Sequence, residues 1–98
     1  MSEGSRRVAM VTGSATGVGR ACALQFASRG FDVVLNYSRS NEDAERTLEE
    51  VQQCGVRVRL IQCDVSDDKQ VRRMLGEIEE HFGRLDALVN NAAVTSFV

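Results

Sequence analysis

Four short β-branched runs alternate with three helix-patterned stretches along the 98 residues, and that alternation leaves few folds open. The runs are Val8-Ala9-Met10-Val11, Val33-Val34-Leu35, Val56 to Ile61, and Ala87-Leu88-Val89. Between them the order reads β-α-β-α-β-α-β, which predicts a parallel sheet built with right-handed crossovers. The first two runs are nearly continuous in apolar character, as strands covered on both faces require. The third alternates Val56, Val58 and Leu60 with Arg57 and Arg59, which predicts a place near a sheet edge with one face wetter than the other. Helix punctuation is equally legible. The first helix runs from about Gly17 to Ser28 and is closed by Gly30. The second follows Ser40-Asn41, carries Glu42, Asp43 and Glu45 in its first turn, and is closed by Gly55. The third follows Ser66, opens with Asp67-Asp68, and is closed by Gly83. Its Val71, Met74, Leu75, Ile78 and Phe82 recur at three- and four-residue spacing and predict one core-facing stripe.

Composition narrows the function classes. A chain of this length makes one domain at most, and 43% hydrophobic with 27% charged residues is a globular balance. A net charge of −2, with no basic stripe, offers no footprint for nucleic acid. No apolar run reaches membrane-spanning length, and the polar lead Met1 to Arg7 has no signal-peptide core behind it, so a cytoplasmic protein without a membrane partner is expected. Cys22, Cys54 and Cys63 show no C-x-x-C spacing and read as reduced structural thiols; no metal site is expected. His81, the lone histidine, reads as a residue of a helix C-terminus.

Chemistry concentrates where the first strand meets the first helix, in Thr12-Gly13-Ser14-Ala15-Thr16-Gly17-Val18-Gly19. Glycines between a buried strand and a helix expose backbone N–H groups at the positive end of the helix, and the missing side chains let a phosphate approach the backbone. Ordinary turns use glycine too, but in this setting a dinucleotide is the better reading.

The spacing T-G-x-x-x-G-x-G resembles the short-chain dehydrogenase/reductase family rather than the commoner G-x-G-x-x-G fingerprint. Two further segments agree in order. Cys63-Asp64-Val65 follows the third strand, where the family places an Asp that meets the adenine. Gly83-Arg84-Leu85-Asp86-Ala87-Leu88-Val89-Asn90-Asn91-Ala92-Ala93 is similar to the family's G-x-x-D-x-L-V-N-N-A-G stretch, with Ala93 where the family usually has Gly. The resemblance runs from about Arg7 to Ala93. It implies a Rossmann-type α/β fold, of which residues 1–98 would be the N-terminal part, truncated after the fourth strand. It also implies cofactor contact by Gly13, Ser14, Ala15, Thr16, Gly17, Val18 and Gly19, by Asp64 and Val65, and by Asn90, Asn91, Ala92 and Ala93. For the full-length form it implies a homo-oligomer. The Asn36-to-Ser40 stretch and the Asn-Asn-Ala-Ala segment are similar to carrier-protein-linked 3-oxoacyl and enoyl reductases.

Charge at the end of the second strand bears on which nicotinamide cofactor binds. An acid there bonds the ribose 2′-hydroxyl of NAD and repels a 2′-phosphate. The corresponding position falls on Tyr37, no acid is present, and Ser38 and Arg39 offer a hydroxyl and a guanidinium suited to phosphate. NADP is therefore expected over NAD. The family's catalytic Tyr-x-x-x-Lys pair is not in this sequence: Tyr37 and Lys69 are the sole tyrosine and lysine, and they stand far apart. No residue here is expected to be catalytic. Two alternatives remain beside an oxidoreductase: a non-catalytic dinucleotide-binding module, and a flavodoxin-like phosphate-accepting domain. The latter is disfavoured because the first strand runs into Thr12-Gly13 rather than an acidic pair.

Overall fold

The structure is a computed structural model that describes residues 6–39 and 41–91. Its elements are β1 (Val8–Thr12), α1 (Gly17–Ser28), β2 (Asp32–Tyr37), α2 (Asn41–Gln52), β3 (Val58–Gln62), α3 (Asp68–Phe82) and β4 (Ala87–Asn90). The strands form one parallel sheet in the order β3-β2-β1-β4. The chain first builds outward from β1 through β2 to β3, then returns by α3 to lay β4 on the other side of β1. The α/β architecture expected from the alternation is the one observed.

Burial explains the two apolar runs. Every residue of β1 is buried, as are Asp32 to Asn36 of β2. On the α1–α2 face, Val11, Val33 and Leu35 pack with Ala23, Ala27 and Val51. On the opposite face, Val8, Met10, Val34, Ile61 and Cys63 meet Met74 and Ile78 of α3. Each fully buried Val or Leu contributes roughly 1.5–3 kcal/mol, so the helical stripes hold the sheet from both sides. Burial also pushes the Cys63 thiol above its ordinary value, which suits an inert core thiol.

β3 lies at a sheet edge, as the alternation predicts, but it begins at Val58 rather than Val56. The reason is local. The Arg57 N–H donates to the Asp32 carboxylate at 2.8 Å instead of entering the ladder. The wetter face is the α3 side, where Arg57 lies over the Phe82 ring at 4.9 Å and Arg59 reaches Glu77 at 3.6 Å. The cap of α3 also differs from expectation. Asp67, not Ser66, is the N-cap, and its carboxylate accepts from the N–H groups of Lys69 (3.0 Å) and Gln70 (3.4 Å). Ser66 instead turns back to Asp64.

The start of β4 is pinned to the start of β1. Arg84 donates to Asp86 through Nε (2.8 Å) and Nη2 (2.7 Å), and the Val8 N–H donates to Asp86 Oδ2 at 2.8 Å. These donors, the Arg84 contacts first, hold the Asp86 carboxyl below its ordinary value. A lowered folded value means that the stabilisation is present above the unfolded value of about 4 and is lost as pH falls through the folded value. We expect Asp86→Asn to flatten the acid limb of the stability curve below about pH 4. Urea midpoints across that range check this, and an acid limb as steep as that of the parent contradicts it.

Candidate dinucleotide site

The strand order reverses at β1, since β2 follows on one side and β4 on the other. In open parallel sheets the crevice outside the carboxyl ends of the strands, at such a reversal, is where ligands bind. The glycine-rich loop leaves β1 at this point.

Buried polar groups fix the loop from behind. The Gly13 N–H donates to Asn36 Oδ1 (3.0 Å), and the Gly13 carbonyl accepts from Asn91 Nδ2 (3.2 Å). The Ser14 N–H donates to the Asn36 carbonyl at 2.9 Å. The Ser14 hydroxyl donates to that same carbonyl at 3.2 Å and accepts from the Asn36 N–H at 2.9 Å. Thr47 of α2 donates its hydroxyl to the Ala15 carbonyl at 2.9 Å. The Ser14 and Ala15 side chains are therefore buried in protein, and what this part of the loop can offer outward is backbone.

The start of α1 is different in kind. Thr16 makes no side-chain capping bond and the first turn holds no acid. By contrast α2 opens with Glu42 and Asp43, and α3 with Asp67 and Asp68. The first-turn N–H groups of α1 thus keep the positive dipole end uncompensated. Thr16, Gly17 and Val18 are exposed there. Gly17 has φ +62°, a conformation that disfavours a side chain, and a Cβ built on it meets nothing within 4 Å, so the approach to the backbone is open. Gly19 is the reverse case: a Cβ there would lie 2.2 Å from the Gly13 carbonyl oxygen. Open backbone, an uncapped helix start and no nearby carboxylate in the loop fit a pyrophosphate.

The other expected residues gather along the same carboxyl edge of the sheet. Tyr37 ends β2 half-buried, and Ser38 and Arg39 follow it, exposed. The Ser38 carbonyl accepts from Gln62 Nε2 at 3.2 Å, tying this turn to the end of β3. Asp64 is exposed. Its Oδ1 accepts from the Ser66 hydroxyl (2.7 Å) and N–H (3.0 Å), which hold its carboxyl below the ordinary value, with a smaller attraction from Arg39. Val65 packs against the α3-side core. At the end of β4, the Thr12 hydroxyl lies 3.2 Å from Asn90 Oδ1, and it accepts from the Asn91 N–H at 2.8 Å. Ala92 and Ala93 lie outside the described residues. Thr47 carries no motif signal in the sequence, and the holding roles of Asn36 and of the motif residue Thr12 are visible only in the structure. For Asn36 a signal existed, an amide directly after the apolar run Val33-Val34-Leu35.

The family model for short chain dehydrogenases matches residues 7–98. The chain is 46% identical over 87 residues to the 3-oxoacyl-[acyl-carrier-protein] reductase FabG of Staphylococcus aureus, covering 89% of this chain and 35% of that protein. It is 42% identical over 92 residues to the short-chain dehydrogenase/reductase homolog YusS of Bacillus subtilis, covering 94% of this chain and 84% of that one. Among solved structures, an NAD+-bound xylitol dehydrogenase superposes with a TM-score of 0.83 at 32% identity, over 88% of this chain and 33% of that chain. The chain therefore spans about a third of the reductase and of the xylitol dehydrogenase. The loop geometry, the sheet order and these matches together place the chain in the short-chain dehydrogenase family of oxidoreductases.

Proposed function

We propose that this chain is the NADP(H)-binding part of an oxidoreductase whose full-length form transfers a hydride between NADP(H) and a carbonyl or alcohol substrate. The observation that carries the cofactor preference is the turn after β2: Tyr37-Ser38-Arg39 is free of acids, and its Arg39 is exposed on the crevice edge. In this reading the backbone N–H groups at the start of α1 hold the pyrophosphate, Ser38 and Arg39 take the 2′-phosphate, and Asp64 and Val65 meet the adenine. Asn90 and Asn91, with Ala92 and Ala93 after them, form the β4 turn beside the cofactor. When bound, the dinucleotide supplies or accepts the hydride; the residues of this chain bind and orient it. Tyr37 and Lys69 sit on different elements, so no proton-transfer role is assigned to either. One structural neighbour is an NAD+-bound xylitol dehydrogenase, so the preference proposed here rests on the charge at positions 37–39 and not on the fold.

Titration of the chain with NADPH and NADH tests this, and NADPH is expected to bind more tightly. Arg39→Ala should remove a charge-assisted contact worth on the order of 1.5–3 kcal/mol from NADPH binding and leave NADH binding unchanged. Equal affinities for the two cofactors before and after the substitution would overturn the assignment. A second reading, a dinucleotide-binding module without turnover, is favoured by one observation, that the chain covers 84% of YusS. Cofactor binding by the chain without substrate-dependent NADPH oxidation fits either reading. Oxidation by a protein carrying the Tyr-x-x-x-Lys pair, with 3-oxoacyl thioesters assayed first, decides for the enzyme.

A further inference from the structure

We infer that Asn36 is a positioning residue that sets the pyrophosphate loop and the adenine-side Asp64 at a fixed separation, acting through Gly13 and Cys63 without touching the cofactor. This rests on the proposed dinucleotide function and adds to it a residue outside the expected cofactor contacts. Asn36 is 2% exposed, near the carboxyl end of β2, between the two segments it joins. Its Oδ1 accepts from the Gly13 N–H at 3.0 Å. Its Nδ2 donates to the Cys63 carbonyl at 3.1 Å and to the Ile61 carbonyl at 3.4 Å. Cys63 directly precedes Asp64, so one planar amide spans from the glycine loop after β1 to the residue assigned to adenine after β3. Its orientation is fixed by chemistry. Gly13 presents a donor and the two β3-side carbonyls present acceptors, and the reversed amide would face like against like on both sides.

The Asn36 main chain works in the same direction. Its carbonyl accepts from the Ser14 N–H and hydroxyl, and its N–H donates to the Ser14 hydroxyl. No buried side-chain nitrogen or oxygen among the described residues lacks a partner, so the network is closed. A closed buried network holds its members at set distances, and a ligand bridging two of them gains affinity from that preorganisation. An apolar side chain at position 36 would leave the Gly13 N–H and the Cys63 carbonyl unpaired and the two subsites free to drift apart.

The experiment uses Asn36→Val and the isosteric Asn36→Asp, which keeps the acceptor for Gly13 and loses the donors to β3. NADPH is titrated against each, beside 2′-AMP, which carries the adenosine half without the pyrophosphate. Thermal unfolding and amide hydrogen exchange are followed in parallel. The expected result is an NADPH affinity at least about tenfold weaker in both variants, with 2′-AMP affinity unchanged within about twofold. In Asn36→Val the Gly13 N–H should also exchange faster, while Val33 to Leu35 of β2 keep their protection. Equal loss of both ligands in proportion to a lowered melting temperature, or no loss of either, overturns the inference. If neither variant folds, exchange of the wild-type Asn36 side-chain amide decides: slow exchange, as for a buried paired group, supports the role, and exchange at solvent speed overturns it. A wild-type chain that binds neither NADPH nor NADH overturns the proposed function itself, and the inference with it. A wild type that binds beside variants that bind as well overturns the inference alone.

Discussion

Replacing Gly19 by alanine is expected to abolish dinucleotide binding and to destabilise the fold by about 2–3 kcal/mol. A Cβ at that position would stand 2.2 Å from the Gly13 carbonyl oxygen, 2.9 Å from the Gly13 carbonyl carbon and 3.0 Å from Asn91 Nδ2. The two nearest of these atoms are backbone and cannot give way cheaply. The third is the amide that bonds that same carbonyl at 3.2 Å. The Gly13 peptide can retreat only by straining its bonds to Asn91 and to Asn36. The collision is thus with protein before it is with cofactor, and valine would collide more severely than alanine. Displacing Gly13 moves the loop proposed to hold the pyrophosphate, so we expect affinity to fall more than about a hundredfold, or about 2.7 kcal/mol. NADPH titration at a urea concentration where the variant is still folded separates the two effects. A folded Gly19→Ala chain that binds like the parent would show that the glycine serves only a turn.

How much of this was legible from the sequence depends on what each residue does. Apolar runs and glycine punctuation report burial and helix ends directly, and α1 is bounded at Gly17 and Ser28 as the pattern predicts. The motif segments after β1, β2, β3 and β4 stand out in the sequence, and the sheet order brings the described ones to one carboxyl edge. The polar residues that hold these segments in place were not. Asn36, Thr47 and Asp32 are buried at 2%, 1% and 0% exposure, and residue type gives no hint of it. Asn36 follows an apolar run, which hints at burial, but what each of these side chains holds is set by partners that lie tens of residues away in the chain. The same blindness moved two boundaries. β2 begins at Asp32 rather than Val33 because the Asp32 N–H donates to the Arg7 carbonyl beside β1, and β3 begins at Val58 rather than Val56 because the Asp32 carboxylate takes the N–H of Arg57. A hydroxyl makes Ser66 look like the head of α3, but Asp67 has a carboxylate in the position that reaches two N–H groups.

That carboxylate is the subject of the other large effect: Asp32→Ala should destabilise the chain by about 3 kcal/mol and leave dinucleotide affinity of the folded molecules unchanged. Asp32 is fully buried at the amino end of β2, the end of the sheet opposite the crevice. Its Oδ1 accepts from the Arg57 N–H at 2.8 Å and its Oδ2 from Arg57 Nε at 2.9 Å, with Arg6 Nη1 at 3.6 Å. Arg6 also donates to the Gly55 carbonyl at 3.1 Å, and Arg57 covers the Phe82 ring at the end of α3. One carboxylate therefore gathers the lead into β1, the α2–β3 connection and the end of α3. Removing it leaves a backbone N–H without its acceptor and a guanidinium without its counter-charge. Breaking a buried pair costs about 3–5 kcal/mol when both members are dry. Here the Arg57 and Arg6 side chains keep 36% and 24% of their exposure, so water recovers part of the loss and the lower end applies. Asp32→Asn retains the size and an acceptor for the Arg57 N–H but loses the charge and turns an NH2 donor toward Arg57 Nε, so it should cost about 1–2 kcal/mol. Urea unfolding of the three proteins should rank them parent, Asn, Ala, and NADPH titration of each below its transition should return one affinity. An alanine variant as stable as the parent would show the carboxylate to be dispensable. A loss of affinity without a loss of stability would show that the two ends of the sheet are coupled, against the separation the geometry implies.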